Sequence, residues 1–317
     1  MYTYRQILAQ ALRTAWFNPG LWFFGFFAIL LGNIGELDLV ISSYGFGRDN
    51  VLLSFWRGLA DGGLFSPAGV SGTIKIFFTN PVYLFAVALF CLIILGLSVL
   101  VIWLVVVSQT ALIAQVVNIS KNRKLNWRES FGLGLNKFWP VLGLNFLMRL
   151  AFWFLFTLSG FLAFFSSPVV TIIFIPTFVI FLILIISVSF TSKYAICGLI
   201  LKDWKFVSSM KSGFEVFKRN WLLSLEIAFI LLVVYLFVNV SLLFFLSFIL
   251  VLALKIYASF WFGLILILFL LSLIFFFVQI ILSIFHWATW AIIFELISNK
   301  KNLVDSLTSR VFKSLAK

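Results

Sequence analysis

A short basic, amphipathic stretch running straight into a long apolar span recurs along this chain, and no other feature restricts the fold as much. The stretches are residues 4–16, 126–139 and 204–221, and a fourth, 304–317, has no span after it. Each mixes Lys or Arg with Leu, Phe and Ala at helical spacing, and the first three pass through an aromatic residue into hydrocarbon-compatible sequence. Residues that recur every three to four positions share one face of a helix, so such a stretch has an apolar side and a cationic side. Class, topology and symmetry follow from this pattern, whereas chemistry does not.

The apolar runs exclude an ordinary soluble domain. Hydrophobic residues make up 63% of the 317 and charged residues 10%, with a mean hydropathy of +1.18. Soluble domains lie nearer ~45–50% apolar and ~25% charged. Six runs are long enough to cross ~30 Å of hydrocarbon at 1.5 Å rise per residue: 21–39, 82–119, 141–163, 169–201, 221–253 and 257–297. The last two are separated only weakly, at Lys255, which leaves room for a re-entrant segment. Unbroken runs such as 264–277 lack the alternation of a β-barrel strand. Asn18, Pro19 and Gly20 interrupt the join to the first run, and 32–39 lacks a small-x-small cleavage site, so that run reads as a retained span, not a signal peptide. Cys91 and Cys197 lie inside spans near opposite faces and read as apolar packing, not a disulfide.

Orientation follows from the cations. Lys121, Arg123, Lys124, Arg128 and Lys137 lie between spans two and three. Lys202, Lys205, Lys211, Lys218 and Arg219 lie between spans four and five, while Arg5 and Arg13 precede the first and Lys300, Lys301, Arg310, Lys313 and Lys317 follow the last. The other side carries only Arg48, Arg57, Lys75 and Lys255. The positive-inside rule therefore places both termini in the cytoplasm, in agreement with an even span count.

Residues 130–138 align without gaps on 209–217, with Gly134 matching Gly213. Residues 7–15 fit the same register with Ala11 at the small position, and 306–311 take up its start. Tyr194, Ala195 and Ile196 stand fifteen residues before Ser209 and its neighbours, as Ala291, Ile292 and Ile293 stand before Ser306. The unit is amphipathic helix, span, outer turn, span, in parallel orientation. The expected fold is all-α: a single integral membrane domain over 1–317, with six transmembrane helices in three repeated hairpins (about 3–119, 125–201 and 204–297) and a terminal amphipathic helix at 302–317.

Such helices lie at the headgroup level, with Leu and Phe in the acyl boundary and cations on lipid phosphate. Trp16, Trp127, Trp139, Trp204 and Trp221 suit that interface. The candidate interfacial collar is Arg13, Lys121, Arg123, Lys124, Arg128, Lys137, Lys202, Lys205, Lys211, Lys218 and Arg219, and its expected partners are anionic headgroups at the cytoplasmic face. Topology setting and docking of a protein partner are its two further uses. The small residues Gly134 and Gly213 favour helices packed on neighbouring spans over floating ones.

The segment Ser209 to Trp221, of pattern Ser-x-x-x-Gly-Phe-x-x-Phe-Lys-x-Asn-Trp, resembles a signature of the membrane domain associated with bacterial glycerophosphoryl diester phosphodiesterases and of related multi-span bacterial proteins. Ala15-Trp16, followed by Leu21-Trp22-Phe23-Phe24-Gly25, resembles their opening. The likeness covers most of the chain in organisation and implies a bacterial cytoplasmic membrane. In that family a soluble phosphodiesterase barrel can follow the membrane domain. A barrel needs ~200 or more mostly soluble residues, which this sequence does not hold, so no catalytic residue carries over.

Chemistry has little to work with. The one histidine, His286, sits in the sixth span beside Trp287, and reads as a packed core residue more readily than as a ligand. No His/Cys/Asp/Glu set has metal spacing, no nucleophile stands by a base, and no phosphate-binding glycine loop occurs. The net charge of +13 borders spans, which favours lipid over nucleic acid. No enzymatic activity and no cofactor are expected. Arg149 in the third span, one turn after Asn145, and Glu226 in the fifth lie at comparable depth. A buried charge costs ~2.5–3.5 kcal/mol on insertion scales, so either the two pair across facing helices, or Arg149 snorkels and Glu226 meets water. The long segment 40–80 is rich in glycine, with helical spacing over Val51, Leu52, Phe55, Trp56 and Leu59, and reads as a surface cap or an outer plug. The function expected is a lipid-interacting or scaffold component. The alternatives are a transporter of a lipid-like or small substrate, and the membrane partner of a separately encoded enzyme.

Overall fold

The computed structural model describes residues 4–30, 81–121, 123, 126–163, 168–257 and 261–298. Every element among them is helical: α1 Tyr4–Phe17, α2 Gly20–Ile29, α3 Pro81–Ser120, α4 Trp127–Asn136, α5 Phe138–Ala163, α6 Pro168–Leu201, α7 Phe206–Arg219, α8 Trp221–Tyr257 and α9 Trp261–Ser298. The outer segment 40–80 and the terminal stretch 302–317 fall outside the described residues, as does Lys124.

Among the described residues, five helices are long and apolar enough to cross a membrane, over Val82–Ser120, Phe138–Leu155, Pro176–Leu201, Trp221–Lys255 and Gly263–Ser298. Of the first expected span, the described part is the apolar helix α2. Neither α8 nor α9 is broken by a re-entrant turn; their 37 and 38 residues reach about 55 Å at the helical rise, well beyond a hydrocarbon core. Lys255 lies within the last turn of α8, where the helix dipole favours a cation, and so does not separate the two spans.

The amphipathic stretches fold as short helices, each ended by a local signal. Asn126 caps α4: its side chain accepts from Trp127 N at 2.8 Å, and Glu129 accepts from Asn126 N at 3.2 Å. That reciprocal arrangement satisfies amide groups that a helix start otherwise leaves open. At the far ends of α1 and α7, Asn18 and Asn220 each donate Nδ2 to the carbonyl four residues back, of Thr14 and Val216, both at 2.9 Å. After α6 the chain turns through Asp203, at φ 54°, a left-handed conformation that Asp tolerates better than most residues.

Residues 1–33 with 105–317 form one compact unit and 34–104 a second. The described part of the second is the first stretch of α3, a continuous apolar helix. In the first unit the buried core is drawn mainly from three helices. Val106, Ala111, Leu112, Ile113 and Val116 come from α3, Phe190, Tyr194, Ile196 and Leu199 from α6, and Ile284, Trp290, Ile293 and Phe294 from α9. By contrast α8 presents Phe237 and Phe244 at 73% and 78% exposure. A surface of that kind is stable only where the surrounding solvent is itself apolar.

The short helices lie against the ends of these core helices. Helix α7 folds back along α6, with Trp204 over Gly198, Gly213 against Thr191 and Ala195, and Phe217 stacked on Phe190 at 5.5 Å. Helices α1 and α2 both pack on α9, far away in sequence. Trp127 of α4 stacks between Phe131, at 5.5 Å, and Phe24 of α2, at 6.0 Å.

Candidate functional site

The short helices expose their cations because their other face is closed. In α4 the buried residues are Ser130 and Gly134, in α7 Ser209 and Gly213, and in α1 Ile7, Ala11, Thr14 and Ala15. A Cβ on Gly213 would stand 2.8 Å from the carbonyl oxygen of Thr191 and 2.9 Å from Ala195 N. A Cβ on Gly134 would stand 2.7 Å from the carbonyl oxygen of Val107. Backbone therefore meets backbone at both positions, the close approach expected of these glycines.

Of the collar predicted from sequence, Arg13, Lys121, Arg123, Arg128, Lys202, Lys205, Lys211, Lys218 and Arg219 are exposed and Lys137 is half-buried. Three of them tie the protein to itself. Lys121 pairs with Glu295 at 2.8 Å, joining the ends of α3 and α9. Lys137 pairs with Asp203 at 2.5 Å, and Lys202 Nζ donates to the carbonyl of Ser298 at 3.3 Å. The ends of α3, α6 and α9 thus lie at one end of the unit. Trp16, Trp139 and Trp221, at the junctions of short helix and span, are exposed, as is Trp127 at the start of α4.

Glu226 and Arg149 are placed differently from each other. Glu226, half-buried on α8, accepts a hydrogen bond from the Tyr4 hydroxyl of α1. Arg149 is exposed on α5, while Asn145, one turn before it, donates to Gln109 Oε1 of α3 at 2.8 Å.

Sequence reasoning passed over Lys193, although it is a lone cation within an otherwise apolar run. It is 5% exposed in α6, with Nζ 4.9 Å from the Trp290 ring centroid and 5.4 Å from that of Phe190. Aromatic faces attract a cation more strongly once it is desolvated, by ~2 kcal/mol or more. His286 lies next to this cage, its ring 6.4 Å from that of Trp290. Further polar contacts cross the spans: Tyr194 with Ser224 at 2.7 Å, and Gln279 Nε2 donating to Asn239 Oδ1 at 2.6 Å. No group of His, Cys, Asp and Glu among the described residues has metal-binding geometry.

Two apolar cavities lie beside short helices. One, of about 720 Å³, is roofed by Arg5, Leu8, Leu12 and Trp16 of α1 over Val234 of α8 and Ile281 and Phe285 of α9. The other, of about 290 Å³, lies beside Met210 and Phe214 of α7, over Ala151 of α5 and Leu184 and Val188 of α6. Both are lined almost wholly by hydrocarbon. No family model matches the chain, and no curated protein or solved structure does either.

Proposed function

We propose that the chain is a non-enzymatic, lipid-interacting protein of the cytoplasmic membrane, built from three repeated units, with its basic collar on the cytoplasmic face as the working surface. The observation that carries this reading is the two-sidedness of the short helices. Their small residues are locked against spans, so Arg13, Arg128, Lys211, Lys218 and Arg219 are held outward beside exposed tryptophans. Such a face attracts anionic headgroups by ~1 kcal/mol per cation. The resemblance to a membrane domain that accompanies glycerophosphodiester chemistry fits a lipid-facing role.

Several features support the repeat. Ile7, Ser130 and Ser209 occupy one register position and Ala11, Gly134 and Gly213 another, and all six are buried. Helices α1 and α7 have 14 residues each, and both end in an Asn bonded four residues back. Helix α1 takes on α9 the place that α7 takes on α6, so the first unit docks on the last. Orientation rests on the positive-inside bias.

The test is the composition of the lipid annulus retained when the protein is extracted from its membrane in polymer-bounded nanodiscs. Anionic phospholipid is expected to be enriched over the bulk membrane, and the enrichment to vanish when Arg13, Arg128, Lys211, Lys218 and Arg219 are changed to Gln. An annulus equal to bulk in the parent protein would refute the reading. A cysteine at position 219, reactive from the cytoplasmic side only, would establish the orientation.

One observation favours transport as a second reading. Ser189 and His286 fall at one register position of α6 and α9, both buried, and His286 lies beside the ring that Lys193 faces. Buried ionisable groups inside spans commonly mark ion or proton paths. This reading requires proton or cation flux in proteoliposomes that Lys193→Met abolishes; absence of flux in the parent protein would remove it.

A further inference from the structure

We propose that the groove under α1 binds one acyl chain of an anionic phospholipid, with the lipid phosphate held by Arg5; this names the ligand of the lipid-interacting reading and rests on it. The groove is a cavity, not a flat face. At about 720 Å³ it falls within the ~300–1,000 Å³ of sites that enclose small ligands. From Phe277 to Phe285 it follows α9 for about 12 Å at the helical rise. Its floor comes from two candidate membrane spans, α8 and α9, so the apolar matter available at that depth is lipid hydrocarbon.

The polar end is equally specific. Among the described residues that line the groove Arg5 alone is charged, and it is exposed. The nearby carboxylate, Glu226, takes the Tyr4 hydroxyl and does not line the groove. A guanidinium above a hydrocarbon slot matches a phosphodiester above an acyl chain, because its planar fork suits phosphate oxygens.

The proposed repeat supports the groove as a recurring feature of the fold. Leu12 corresponds to Phe214, Ile281 to Leu184, and Phe285 to Val188, and the members of each pair line the two cavities in turn. Of the two corresponding cavities, the wider one carries the arginine.

The experiment uses the full chain in phosphatidylcholine nanodiscs containing a trace of phosphatidylglycerol with a photoactivatable acyl chain, and maps labelled peptides by mass spectrometry. Label is expected on α1 and on 277–285 of α9. Arg5→Gln should lower it about fivefold, the weight of one cation near phosphate. Ala9→Trp, which places a ring in the groove from an exposed position, should remove it from 277–285 and leave label elsewhere. Arg5→Gln alters only an exposed side chain, so the test survives if Ala9→Trp fails to fold. Label spread evenly over all the spans, with α5 marked as strongly as 277–285 of α9, would overturn the proposal. So would equal labelling by a phosphatidylcholine probe in parent and Arg5→Gln proteins. A several-fold rise on removing residues 299–317 would assign the groove to the chain's own terminal segment and also overturn it. Anionic enrichment of the whole annulus reads the collar and not this groove, so the two readings fail separately.

Discussion

Helix α1 rests on α9 and helix α7 on α6, and the two seams close to different degrees. Gly213 lets α7 descend until its backbone meets the Thr191 carbonyl and Ala195. Ala11 of α1 is fully buried and carries the methyl that Gly213 lacks. The cavity beside α7 is about 290 Å³, and that beside α1 is about 720 Å³. Ser192 Oγ, 2.9 Å from Met148 Sδ, draws the walls of the smaller cavity together further. A methyl at a helix seam takes up space that glycine leaves to the neighbouring backbone, and packed interiors do not absorb even small changes in volume without moving.

The largest effect is expected where that seam is tightest. Gly213→Val would drive side-chain atoms into backbone that cannot rotate away, and overpacking of this kind costs ~1–3 kcal/mol or more. The variant should aggregate on extraction or melt far below the parent by thermal-shift chromatography in detergent. If it melts with the parent, backbone contact does not limit α7. Ala11→Gly tests the other half of the comparison. It should cost roughly 1 kcal/mol in helix propensity while shrinking the labelled groove.

Helix α1 has an anchor with no counterpart described for α7: the Tyr4 hydroxyl on Glu226. Hydrogen bonds to a charged group contribute ~1.5–3 kcal/mol, so Tyr4→Phe should lower stability by about that amount. The double variant with Glu226→Leu should lose less than the sum of the two single changes, because each removes the same bond. Additive losses in a thermal-melt cycle would show that the bond does not hold α1 down.

Lys193 of α6 lies against the Trp290 ring of α9. Burial of the ammonium opposes its attraction to the rings, and buried charges replaced by apolar groups of similar size are often neutral or stabilising. Lys193→Met should therefore leave the melting temperature unchanged or raise it slightly, with a shift in tryptophan emission. A large loss of stability would mean that the cation is structural and would weaken the transport reading.

Much of this architecture was legible in the sequence because hydropathy and helical periodicity are local. The approximate extent of α7 and the small positions at Gly134 and Gly213 could be read directly, whereas the capping role of Asn126 was not read. What could not be read is which distant partner each group meets. Tyr4 and Glu226 are 222 residues apart, and nothing in either neighbourhood announces the other. Glu295 and Asp203 draw Lys121 and Lys137 out of the lipid-facing set for the same reason. The docking of α1 on α9 is likewise decided by packing, since the local pattern of α1 would suit any span with a small-residue seam.

The smallest effects belong to the turn from α6 into α7, at Asp203. Its side chain is 81% exposed where it meets Lys137, and exposed pairs contribute ~0–1 kcal/mol. Its backbone is left-handed at φ 54°, which costs an L-residue roughly 1–2 kcal/mol and glycine almost nothing. Asp203→Gly removes the pair and the strain together, so the two terms offset and the melting temperature should barely move. Asp203→Ala removes the pair and keeps the strain, so it should fall below the glycine variant by about 1 kcal/mol. Salt separates the terms, because it screens the ion pair and leaves backbone strain untouched. The gap between glycine and alanine should therefore persist in high salt, while the gap between alanine and the parent narrows. If the alanine variant matched the glycine variant under both conditions, the left-handed turn would not be setting the angle at which α7 folds back on α6.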